Sequence, residues 1–197
     1  IFILALFLRL LAVFSHEGIN KMPTSDAKDY DEIAVNLKSG NGFSQVINGY
    51  MAPVVYRTPA YPLFLAGIYS IFGHNYTAVK VIQAIIVALF CILIFFITNM
   101  IYDNLAIGLI ASLCTAFYKP FISGFSCCAG PALLLSEYLY IFMIGLAILS
   151  TACFIKNGNI NNGIISRIFM GLTILTRPEF ALYPDLLIIY LVYTSRM

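Results

Sequence analysis

The chain has 197 residues, of which 61% are hydrophobic and only 10% charged, with a mean hydropathy of +0.91. That composition excludes an ordinary soluble domain and points to helices that live in lipid. A formal net charge of +2, with no Lys- or Arg-rich run, excludes a nucleic-acid-binding surface.

In chain order, residues 1–14 form an apolar segment too short to span a bilayer, and the chain ends at Arg196-Met197 directly after another apolar run. The sequence therefore reads as the N-terminal part of a longer membrane domain, with 1–14 a clipped first transmembrane helix. A signal peptide is the rival reading, but no small-residue cleavage site follows.

Residues 15–58 are a polar island. They hold Glu17, Asp26, Asp29, Asp31 and Glu32, five of the nine acidic residues in the chain. Concentrating carboxylates in one surface loop points to chemistry or recognition there. Within the island, DAKDYDEIAVNLK predicts a short helix that Thr24 or Ser25 can cap, with acids in its first turns opposing the helix dipole. Tyr30, Ile33 and Leu37 fall on one apolar stripe, and Gly40-Asn41-Gly42 ends the helix.

Residues 60–73 follow Pro59 and are too short to span, so they predict a surface helix facing lipid on one side and the island on the other. Further crossings are expected at 78–101, 104–123, 133–155, 162–178 and 180–195. The expected fold is all-α: a polytopic transmembrane helical bundle whose long first outer loop, 15–77, carries short interfacial helices, with 78–197 supplying further transmembrane helices. If 1–14 crosses outward, 15–77 and 124–132 lie outside and 156–161 inside. Lys156, Arg167 and Arg196 near inner ends agree with that sidedness, whereas Lys21, Lys28, Lys38 and Arg57 in the island oppose it.

Cys91, Cys114, Cys127, Cys128 and Cys153 are odd in number, and three sit inside apolar runs. They read as packing residues rather than a secreted disulfide framework.

Three residues stand out for chemistry. Asp26, just past the first apolar segment, suits a general base on an acceptor hydroxyl or amine, a metal ligand, or simply a first-turn acid. Glu137 sits in an otherwise lipid-soluble run, where an acid is either functional or a partner in an interhelical hydrogen bond with Ser136 or Tyr138 nearby. Arg57, at the junction of island and surface helix, suits bidentate phosphate contact or plain snorkelling.

His16 and His74 are lone histidines at interfacial positions, and no His/Cys/Asp spacing matches a metal site. Lys80 and Gln83 could face a polar cavity, and Arg177 and Glu179 could pair around Pro178. Asn75-Tyr76-Thr77 fits a glycosylation acceptor pattern that is common by chance.

The order DAKDYDEIA, NLKSGNGFS, YRTPAYPLFLA, FGHN, LLLSEYLY and GLTILTRPE resembles the N-terminal part of GT-C membrane glycosyltransferases. The branch it looks nearest to holds the bacterial relatives of protein O-mannosyltransferases and of the lipid A aminoarabinose transferase (glycosyltransferase family 39-like). The resemblance implies an enzyme of the bacterial inner membrane that takes a sugar from a polyprenyl-phosphate carrier on the outer face. It passes that sugar to a lipid, glycan or protein acceptor.

The resemblance places Asp26 as the catalytic acid of the first outer loop, Glu137 as the second acid and Arg57 at the carrier phosphate. Tyr30, Glu32 and Lys80 are candidate supporting residues by their positions in the sequence. Ala27 follows Asp26 where many relatives have Glu. Tyr56 stands where the aminoarabinose branch has an acid that helps hold a metal, which puts in doubt a divalent metal, the one cofactor the resemblance admits. As a fragment, the chain is not expected to be active alone. The leading reading is an inverting glycosyltransferase. A transporter would line several helices with polar residues, whereas here they gather on one face. A non-catalytic assembly subunit would not need Asp26, Arg57 and Glu137.

Overall fold

The computed structural model describes residues 1–15, 26–123 and 136–186, and these are mostly helical. The helices are α1 (Phe2–Ser15), α2 (Asp26–Lys38), α3 (Ala60–Phe72), α4 (Tyr76–Tyr102), α5 (Leu105–Phe117), α6 (Lys119–Ser123), α7 (Ser136–Asn157) and α8 (Ile160–Thr176). A 3-10 turn, Pro178–Leu182, follows α8. The caps expected at Thr24 and Ser25, the residues His16, Glu17, Cys127 and Cys128, and most of the crossing expected at 180–195 lie outside the described residues.

Helix α4 is the axis of the bundle and packs against α1, α5 and α7, while α7 lies along α8. Two joints are built alike. Asp103 takes a left-handed conformation (φ 50°) and returns its N–H to Asn99 O, after which the Asn104 side chain caps α5 through the N–H groups of Ala106 and Ile107. Gly158 (φ 62°) and Asn159 do the same between α7 and α8. A left-handed residue followed by an Asn cap stops one helix and starts the next within a single turn. Asn75 caps α4 through Ala78 N, which gives the side chain of that Asn-Tyr-Thr triplet a structural use.

Small residues set the close approaches. A Cβ on Gly108 would sit 3.2 Å from the backbone oxygen of Phe95 and 3.1 Å from its ring. Helix α5 can therefore lie against α4 only because this residue is small. Gly108→Val is expected to overpack that joint and cost about 1–3 kcal/mol, read as a lowered unfolding midpoint in detergent; an unchanged midpoint would show that α5 shifts freely.

The crossings expected at 78–101 and 133–155 are met, and two other expectations, the crossing at 104–123 and the make-up of the island, are corrected. Among the described residues only Tyr76–Tyr102 and Ser136–Asn157 are both long and apolar enough to cross a membrane; α1, α3 and α5 are shorter apolar helices. The crossing expected at 104–123 is broken at Tyr118, which is extended (φ −64°, ψ 113°). Pro120 accounts for this, because it has no N–H for the Ala116 carbonyl and its ring would clash there. Arg9, 2% exposed within α1, donates to that freed carbonyl at 3.4 Å. It also donates to Thr115 O at 3.5 Å, Ala5 O at 2.7 Å and the Cys91 Sγ at 3.5 Å. A cation at a helix C-terminus meets the negative end of the helix dipole. The sequence reading overlooked Arg9, although a lone Arg in an apolar run is its signal. Cys91, Cys114 and Cys153 are free thiols; Cys91 is buried, whereas Cys114 is exposed.

The second correction concerns the island, which holds a β-hairpin as well as helices. Strands β1 (Ser44–Ile47) and β2 (Tyr50–Pro53) pair antiparallel with Val46 opposite Met51 and Ile47 opposite Tyr50. Asn48 (φ 53°) and Gly49 (φ 84°) make the two-residue turn. Asn-Gly is the strongest short hairpin signal because both positions need positive φ. Helix α2 is as expected: Ala27 and Ala34 join Tyr61, Leu65, Tyr69, Val79 and Leu139 in one core, with Tyr30 and Leu37 against it. That core locks α2 onto α3 and onto the first turns of α4 and α7. Gly40 and Gly42 follow α2 with positive φ, as a helix stop requires.

Candidate functional site

Asp26, Asp29, Arg57, Glu137 and Arg177 gather where α4 and α7 begin and α8 ends. Asp26 and Asp29 stand three apart on α2 and so share one helix face. Both reach the same nitrogen: Arg57 Nη2 donates to Asp26 Oδ1 and to Asp29 Oδ2, each at 2.7 Å. The Tyr30 and Tyr56 rings flank the guanidinium, with centroids 5.0 and 5.3 Å from its central carbon. The hydrogen bond to Asp26 raises the Arg57 pKa, against the lowering effect of burial, and Asp29 adds to the rise. Arg57 is a permanent cation here, held by two anions.

Exposure divides the labour within this trio. The Asp26 side chain is 73% exposed and open to an incoming molecule, whereas Arg57 is 19% exposed. Among the described residues Arg57 Nε, like Arg9 Nε, is buried without a hydrogen-bond partner. A buried donor left unmade is costly.

Glu137 opens α7 and forms an ion pair with Arg177, at the end of α8. Arg177 therefore pairs with Glu137 and not, as the sequence allowed, within Arg177-Pro178-Glu179. It projects back because Pro178 ends α8 and leaves Arg177 extended (φ −148°). The two charged groups are linked through the backbone. Thr58, next to Arg57, donates its hydroxyl to the carbonyl of Thr176, next to Arg177, at 2.8 Å. Tyr61, fully buried, lies between them. Its ring meets Tyr30 edge-on at 5.0 Å, and its hydroxyl accepts from Gln83 Nε2 at 2.8 Å. Thr58→Val is expected to lower stability by about 1 kcal/mol, checked by thermal unfolding in detergent. No change would mean the link is incidental.

The supporting residues are divided. Tyr30 lies against Arg57. Glu32 instead accepts from Val46 N at 2.7 Å and so holds the hairpin. Gln45 completes that attachment, donating to Asp29 O at 3.1 Å and accepting from the Tyr56 hydroxyl at 2.6 Å. Lys80 lines a separate small cavity with Arg9, Gln83 and Tyr138, deeper in the bundle. Among the described residues no group of three or more His, Cys, Asp or Glu is placed to hold a metal ion, and Arg57 occupies the space between Asp26 and Asp29.

Sequence reasoning missed two members of the site: Asp29 was legible from its spacing to Asp26, and Thr58 was not. It also read His74 as a lone histidine, whereas His74 pairs with Asp31. Asp31 is buried on the other side of α2 and accepts from the Tyr69 hydroxyl at 2.5 Å and the Tyr76 hydroxyl at 3.0 Å, with His74 Nε2 at 2.8 Å. Its work is to clasp α2 to the joint between α3 and α4.

The sequence model of the family described as dolichyl-phosphate-mannose-protein mannosyltransferase matches residues 56–197, which includes Arg57, Glu137 and Arg177. No curated protein and no solved structure matches the chain.

Proposed function

Because the chain belongs to the dolichyl-phosphate-mannose-protein mannosyltransferase family and is thus a membrane glycosyltransferase, we propose that it moves a sugar from a polyprenyl-phosphate donor to a lipid, glycan or protein acceptor. The site faces the outer side of a bacterial inner membrane, within a polytopic bundle. The observation that carries this reading is the Asp26–Arg57 contact: an exposed carboxylate and a nearly covered cation, 2.7 Å apart. Base and phosphate holder are the two groups that sugar transfer from a lipid phosphate needs.

In the proposed step Asp26 takes the proton of the acceptor hydroxyl. The acceptor oxygen attacks the anomeric carbon from the face opposite the phosphate, so that configuration inverts. The bond from that carbon to the phosphate oxygen breaks, and the electron pair leaves on the phosphate, where Arg57 neutralises it. Tyr30 and Tyr56 keep the guanidinium plane fixed. Glu137, oriented by Arg177, positions acceptor or donor.

The test is transfer in proteoliposomes from radiolabelled polyprenyl-phosphate sugars to extracted envelope acceptors. Label appearing in acceptor, dependent on Asp26, is the expected result. Uptake of free sugar without lipid-linked donor, and no transfer from any donor, would sink the reading in favour of transport.

A further inference from the structure

The hairpin is polar at its root and apolar at its tip. No Asp, Glu, Lys or Arg occurs between Lys38 and Arg57. Gln45 and Val46 N tie the root to α2 and Tyr56, as described above. Beyond that root the strand side chains are apolar on both faces, with Asn48 the one polar side chain, in the turn. Val46 and Met51 form one cross-strand pair and Ile47 and Tyr50 the next, which points the opposite way, and all four are exposed, Tyr50 at 79%. Val55, just past β2, is 92% exposed.

A two-stranded ribbon in water is marginal at best and keeps at least one face polar. This one keeps neither at its tip. Its freedom from charge removes the main cost of entering a less polar medium, and its tyrosine suits the membrane–water boundary. The unpaired outer edges of its strands forbid the hydrocarbon interior, where each unmet backbone group costs several kcal/mol. The headgroup–acyl boundary satisfies both conditions.

We propose that the tip of the hairpin, Val46 to Met51 with Val55, is a membrane anchor seated in the headgroup–acyl boundary of the phospholipid bilayer beside the Asp26–Arg57 site. Its depth rests in part on the proposed role of Arg57: a residue that meets a lipid carrier's phosphate lies at headgroup level, and Gln45 and Tyr56 hold the hairpin root at the same level. The anchor fixes the height of the site above the bilayer, so that a lipid-linked donor arrives with its phosphate at the guanidinium.

The chain contains no tryptophan, so Tyr50→Trp introduces a single reporter. We would reconstitute the chain in phosphatidylcholine liposomes and compare ordinary lipid with lipid brominated high on the acyl chain. The expected result is blue-shifted emission, quenched in brominated lipid because the group is set into the boundary, with little quenching by aqueous iodide. A Ser39→Trp control, beyond α2, should behave oppositely. Emission like that control, quenched by iodide and not by bromine, overturns the proposal. So does a shift that appears only on adding envelope acceptors, which would make the tip an acceptor surface. If Tyr50→Trp does not fold, Ile47→Trp on the paired strand gives the same readout. No sugar transfer is involved, so failure here leaves the transferase reading standing, and failure of transfer leaves the seating of the tip standing and removes only its link to the donor phosphate.

Discussion

Asp26→Asn is expected to lower sugar transfer by about 100- to 10,000-fold, the usual contribution of a positioned acid or base, while leaving donor affinity within a few fold. Asparagine preserves the shape and can still accept a hydrogen bond from Arg57 Nη2, so the guanidinium stays where Asp29 also holds it. What is lost is the only group in the trio exposed enough to meet an acceptor; its side chain is 73% exposed, against 32% for Asp29. Donor binding loses one neighbouring negative charge and should not weaken. Rates measured across a donor titration separate the two effects: a fall in kcat with KM unchanged is the signature. Transfer within threefold of wild type would falsify the assignment of Asp26 as base.

Arg57 should affect donor KM as well as rate. Arg57→Lys keeps a charge but loses the planar fork and its stacking between Tyr30 and Tyr56. Its main effect should be on donor KM. Removing the cation altogether with Arg57→Ala should cost about 100- to 1,000-fold in rate, as for other groups that stabilise a leaving anion. It also leaves Asp26 and Asp29 facing one another without a cation.

How much of this was legible from residues alone follows from the range of the forces involved. The apolar runs announce α4 and α7, because burying apolar side chains in lipid leaves a long uninterrupted signal. The end of α2 at Gly40 was equally plain, since its cause lies within two residues. The hairpin was announced by Asn48-Gly49 but hidden by the surrounding acids, which drew attention to helix caps. The break at Tyr118 was written in Pro120, yet 104–123 was taken as one crossing on hydropathy, which does not register a missing N–H. Pairings across the chain were out of reach. Nothing near Glu137 in sequence names Arg177, forty positions on, as its partner, and Arg9 is held by carbonyls more than a hundred residues away. Such contacts exist only once the bundle has packed.

At Asp31 packing and electrostatics meet, and its loss should carry a large stability cost. Asp31→Ala removes the acceptor of Tyr69, Tyr76 and His74 together. His74 is half-exposed and can turn to water, but Tyr69 is wholly buried and cannot. We expect a loss of about 3 kcal/mol, the upper end for stranding a buried polar group, in reversible unfolding by sodium dodecyl sulfate followed by circular dichroism. Tyr69→Phe should cost about 1 kcal/mol, and the double variant less than the sum, because the two share one interaction. Additivity would show that the clasp is not a unit. The alkaline limb gives an independent check. Burial, then the hydrogen bond to Asp31, raises the Tyr69 pKa. The unfolded phenol ionises near pH ~10 while the folded one stays protonated, so its stabilising contribution is complete below that pH and is lost as pH rises beyond it. Tyr69→Phe, having no phenol to ionise, should lose stability less steeply above that pH than the parent chain does.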